Sequence, residues 1–168
     1  MPFTPYHFGP GLLLKALLRE HFSFAAYTVT QVVIDVETLY HLQRREWPVH
    51  RVLHTCVVGS LAGAAIGGAL AAVAPRVLPP SFVRDPDVAR DLRRHCALVG
   101  GIIGGASHAL VDAIMHRDVT ALWPFSNAHV LHGLLAWPTI HALCIASGAI
   151  GLALLALIRY QERHEQTG

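Results

Sequence analysis

Charge is scarce in this chain. Asp, Glu, Lys and Arg make up 14% of its 168 residues, where an ordinary soluble domain carries roughly 25%. Lys15 is the single lysine, and the arginines are scattered over loops rather than gathered in a stripe. That scatter argues against nucleic-acid binding, which needs a basic footprint. Cysteine is sparse too. Cys56, Cys96 and Cys144 stand far apart in apolar segments with no Cys-x-x-Cys pair. This argues against a thiolate zinc site or a disulfide framework and leaves the three as small buried hydrophobes. The start, Met1-Pro2-Phe3-Thr4-Pro5, lacks the basic opening and small-residue cleavage site of a signal peptide.

Apolar residues and histidines abound instead. The chain is 53% hydrophobic, with a mean hydropathy of +0.43. Both values point to a membrane protein, and residues 1–168 read as a single helical membrane domain. A bilayer crossing needs about 20 apolar residues. Residues 22–42, 52–74, 96–115 and 128–158 are candidates, with a shorter apolar stretch at 12–18. Pro48 marks a helix start, Ser126 a cap, and Pro138 a kink in the last helix. Gly59, Gly63 and Gly67 recur every fourth residue, and Gly100, Gly101, Gly104 and Gly105 form a second small face. Such faces let helices approach closely and are not phosphate cradles. Residues 76–94 form a polar connector and 159–168 a polar, frayed tail.

The expected fold is therefore an all-α integral membrane bundle, with about four spanning helices and a short N-terminal one. Nine Lys and Arg fall in the N-terminal segment, connector and tail, against four in the opposite loops. The positive-inside rule then makes both termini cytoplasmic.

His108, Asp112 and His116 recur every four residues at the end of an apolar run. On a helix they form one stripe, two imidazoles and a carboxylate, which suits a divalent metal. A carboxylate in an apolar segment is costly unless a cation compensates it. Asp35 lies near the end of the second apolar stretch. Glu37, two residues on, points about 200° away, so the two cannot share one metal. His50 and His54 are four apart after Pro48, with Arg51 between them, and His7 could fold over the mouth of the site. Antiparallel helices bring these groups to one membrane face. His21, His95 and His164 read as interfacial or surface groups. His129 and His132, three apart on the last helix, stand as a second shell of support or another ligand set.

These motifs resemble a family of membrane-bound, metal-dependent hydrolases, the YdjM-like, LexA-regulated inner-membrane proteins of bacteria. The resemblance rests on His7, Asp35-Val36-Glu37, His50-Arg51-Val52-Leu53-His54, Ser107-His108 through Asp112, and Trp123-Pro124, in that order. Two positions depart from the family pattern: Glu37 replaces an aspartate and is followed by Thr38 rather than histidine, and His50 to His54 is one residue short. More distantly the motif order is similar to that of zinc-dependent phospholipase C. The resemblance implies a hydrolase of the bacterial inner membrane.

Residues and resemblance together give an expected mechanism. Asp35, His50, His54, His108 and Asp112 are metal ligands, with His7 and His116 completing a second metal, and zinc is the expected ion. The metal brings the pKa of water to roughly 7, Glu37 moves the proton, and Arg51 holds an anionic group such as phosphate. The expected partners are the bilayer and a lipid-like or amphiphilic phosphoester or ester. The alternative is a non-catalytic metal or proton transporter, or a haem-bearing bundle. Transport wants polar residues through both halves of the bilayer, but residues 57–74 and 148–158 leave one half almost bare. Haem wants opposed histidines without carboxylates beside them.

Overall fold

Glycine decides how closely the central helices lie. α3 (Cys56–Val77) and α6 (Arg94–Met115) run antiparallel, with Gly59, Gly63 and Gly67 against Gly105, Gly101 and Ala97. A Cβ on Gly63 would stand 1.9 Å from the Gly101 carbonyl oxygen, and one on Gly67 2.1 Å from that of Ala97. Backbone therefore packs on backbone, as the spacing of small residues allows.

The computed structural model describes residues 5–165, and helix is the only regular structure among them. A 3-10 turn, Pro5–His7, leads into α1 (Phe8–Leu18). α2 (Phe24–Gln43) starts where the Ser23 hydroxyl accepts from the Ala26 amide. It packs on α3 and α6. Two short helices, α4 (Pro80–Val83) and α5 (Pro86–Asp91), shape the connector before α6. The last helix, α7 (Trp137–Glu165), lies along α1, where Gly9 meets the Cys144 carbonyl and Gly151 meets Leu12.

The helices alternate in direction, which gives the bundle two distinct ends. At one end α2 and α6 finish while α1, α3 and α7 begin. At the other lie the connector, the end of α1 and the end of α7. The first and last described residues thus sit at opposite ends, not on one side as the sequence suggested.

Among the described residues three helices are long and apolar enough to cross a membrane: α3, α6 and α7, each with an 18-residue stretch of mean hydropathy 2.0, 1.5 and 2.2 respectively. The sequence suggested four. α2 has the length, but it buries Thr30, Gln31, Asp35 and Thr38, and that polar face lowers its hydropathy.

Three prolines and caps also differ from expectation for local reasons. Pro48 starts no helix; an irregular stretch and a 3-10 turn, Val52–His54, precede α3, which Thr55 caps. Pro138 sits in the first turn of α7, where its missing N–H costs nothing, so it kinks no helix. Ser126 accepts from the Ala128 amide within a loop that runs on to residue 136. The tail stays helical to Glu165, tethered by Arg159 to Asp87 (2.9 Å) and by Glu162 to Arg19.

Candidate metal centre

Where α2 and α6 end, polar side chains from five segments converge. α2 supplies Gln31, Asp35 and Thr38, spaced so that all three lie on its buried face. α6 supplies His108 and Asp112 one turn apart, both buried. The turn before α3 brings His54, the loop before it His50, and the N-terminal turn His7.

Asp112 and Asp35 are the acceptors at the centre. His108 Nε2 lies 3.4 Å from Asp35 Oδ1 and 3.4 Å from Asp112 Oδ2. His54 Nε2 is 3.7 Å from Asp112 Oδ2, and His7 Nε2 is 3.3 Å from Asp112 Oδ1. The His7 and His108 rings stack with centroids 4.7 Å apart. Among the described residues two groups have ligand atoms close enough to share an ion: Asp35, His54, His108 and Asp112, and then His50, Asp112 and His116. Asp112 belongs to both.

Three of the buried histidines are held from behind. Gln31 turns its Oε1 to His108 Nδ1 (2.5 Å), and the Gln31 amide nitrogen donates to the Gly104 carbonyl (3.3 Å). His54 Nδ1 donates to Glu37 (3.0 Å), and His50 Nδ1 to both oxygens of Asp118 (2.9 and 3.0 Å). Carboxylate and amide oxygens only accept, so the Nδ1 atoms carry protons and the Nε2 atoms face inward. Metal-binding histidines are oriented in this way by outer hydrogen-bond partners. Thr38 donates to His54 Nε2 (3.1 Å). His108 Nε2 is buried and has no hydrogen-bond partner among the described residues. His108 Nε2 faces two carboxylate oxygens across 3.4 Å, and an imidazole nitrogen with two carboxylates is a donor set that suits a divalent ion.

Several expected site residues take other positions. His50 and His54 share no helix face, since His50 sits in the loop and His54 closes a 3-10 turn, yet both reach the cluster. His116 has left the helix: α6 ends at Met115, and His116 follows with extended backbone. Its ring stacks on His50 with centroids 4.5 Å apart, and burial pushes its imidazole down to about 4. Glu37 points away from the cluster, towards His54 Nδ1 and the amides of Arg51 and Leu53. The Arg51 guanidinium bonds Glu46 (3.1 Å) and the Pro48 carbonyl (3.0 Å). His129 and His132 lie exposed in the loop before α7, and His129 bonds the Val119 carbonyl.

Sequence reasoning missed Gln31, Thr38 and Asp118. The first two carried a signal, because with Asp35 they complete a polar stripe at i, i+4 and i+7 on α2. Asp118 carried none, since loop geometry alone brings it back to His50. Burial raises its carboxyl, but the His50 hydrogen bonds outweigh this and hold it below the usual range.

No family model, curated protein or solved structure matches the chain.

Proposed function

We propose that the chain is a membrane-embedded, metal-dependent hydrolase of the bacterial inner membrane, similar to the YdjM-like family whose motif order it shares. The observation that carries this reading is His108 Nε2, buried, unpartnered and aimed at two carboxylates. The two His/Asp groups have different chemistry. Asp35, His54, His108 and Asp112 provide four protein ligands, the closed set of a structural zinc site. His50, Asp112 and His116 provide three, the set that leaves a position open for water and substrate. Zinc suits this mixture of imidazole and carboxylate.

An ion in the open set, when bound, supplies acidified water with a pKa of about 7 and polarises the scissile ester. The residues do the rest. Asp112 couples the two sets, so the closed one fixes the carboxylate that the open one uses. Gln31, Glu37 and Asp118 keep His108, His54 and His50 in the tautomer that presents Nε2. Glu37 is thus a positioning residue rather than the proton carrier, because its oxygens are engaged on the far side of His54. Arg51 is bound to Glu46 and shapes the loop rather than holding substrate. The substrate is a phosphoester or ester of a lipid-like molecule.

The experiment is hydrolysis of phosphodiester and carboxylester lipids by protein reconstituted in vesicles and loaded with zinc. Turnover that chelation abolishes and zinc restores, and that Asp112→Ala lacks, supports the reading. Zinc-loaded, folded protein that cleaves neither lipid class overturns it.

A further inference from the structure

The end of the bundle that holds the cluster also carries an unusual surface. Residues 119–136, which join α6 to α7, contain no Asp, Glu, Lys or Arg. They contain no helix either. Val119 is buried, but most of their larger apolar side chains face outward: Phe125 is 86% exposed, and Trp123, Val130 and Leu134 are exposed as well. At the same end Trp47 is 75% exposed, two residues before Val49, whose amide bonds Asp118, and Trp137 stands at the start of α7. The chain has three tryptophans in all, and every one lies at this end. The opposite end instead holds nine of the thirteen Lys and Arg.

A patch of this kind is costly in water. Irregular backbone, on the other hand, cannot lie in hydrocarbon, where its amides and carbonyls lack partners. The loop is pinned to the helix ends, with Gly133 N bonded to the Ile114 carbonyl and Cys56 N to that of Ala121. Its remaining polar groups need a hydrated layer while its side chains need an apolar one. The headgroup boundary of a bilayer offers both, and it is where tryptophan concentrates.

We infer that residues 119–136, with Trp47 and Trp137, form a surface that inserts into the headgroup boundary of the leaflet nearest the cluster. The occupant is the lipid surface in which α6 and α7 stand, since the loop is continuous with both. Trp137 ties this surface to the site, because its ring lies 5.6 Å from that of His116 and its Nε1 donates to the Met115 carbonyl. The depth of Trp137 is therefore the depth of the cluster. The surface rests on the reading of α3, α6 and α7 as membrane spans. Only its consequence, that lipid reaches the cluster sideways from the leaflet, rests on the proposed hydrolase.

Because all three tryptophans lie at one end, the unaltered protein reports on this surface alone. Its fluorescence is read in phosphatidylcholine vesicles with lipids brominated near the carbonyls or at mid-chain, and with iodide in the water. The expected result is strongest quenching by the shallow bromolipid, and a several-fold loss of iodide quenching relative to free tryptophan amide. Iodide quenching equal to that of free tryptophan amide, without bromolipid quenching, overturns the inference by placing the surface in water. Strongest quenching at mid-chain overturns it by placing the loop in hydrocarbon. Neither readout needs metal or turnover, so an inactive protein leaves this test intact.

Discussion

Asp91, near one end of the bundle, and Asp112, near the other, are both carboxylates withdrawn from water, but their surroundings differ. Asp91 accepts from Lys15 Nζ (2.8 Å), the Ser23 hydroxyl (2.9 Å) and the amides of Phe24 and Ala25 (both 3.0 Å). A cation and three neutral donors thus balance it, and it caps the start of α2 from outside the helix. Asp112 faces the rings of His7, His54 and His108, and its oxygens lie 3.3 to 3.7 Å from their Nε2 atoms. One end is closed by its own residues. The other gathers ligand atoms close enough to share a metal ion.

The contrast can be broken in steps. The largest effect on the fold is expected from Asp91→Ala, which leaves Lys15 with only the Phe22 carbonyl and takes the acceptor from the first two amides of α2. Breaking such a pair costs about 3 kcal/mol, read as a lower denaturation midpoint in detergent, while metal content per folded molecule stays unchanged. Asp118→Asn should act at the other end and in the other quantity. Its loss of hold on His50 weakens metal binding roughly 10- to 100-fold, measured by competition with a chelator, with little change in metal-free stability. Arg51→Ala is expected to do least: its guanidinium touches only Glu46 and a backbone carbonyl, so stability shifts by about 0.5 kcal/mol or less. A large loss of metal in that variant would return Arg51 to the site.

Much of this contrast was legible before the structure. The i, i+4 pair His108 and Asp112 in an apolar run shows that a carboxylate is buried, since helix periodicity and hydropathy are local properties. The small-residue faces on α3 and α6 were equally plain, and the all-helical fold follows from them. Segments without periodicity were not legible. His50, His116 and Asp118 reach the cluster through loops whose course is set by tertiary contacts; the spacing of His50 and His116 suggested helix faces that do not form, and Asp118 gave no signal. Residues 128–136 look helical by apolar content, yet Pro138 fits only the first turn of α7, so that helix begins at Trp137. α2 shows the same limit, because its length suggested a span while its polar stripe serves the cluster.

The central claim is that the cluster is built for divalent metal. The most direct test is the metal content of folded protein after chelation, reloading with zinc and removal of excess, for the unaltered chain and Asp112→Ala. The account predicts about two ions per chain for the former, from one closed and one open ligand set sharing Asp112, and none retained by the variant. Folded, unaltered protein that retains no stoichiometric zinc would contradict it.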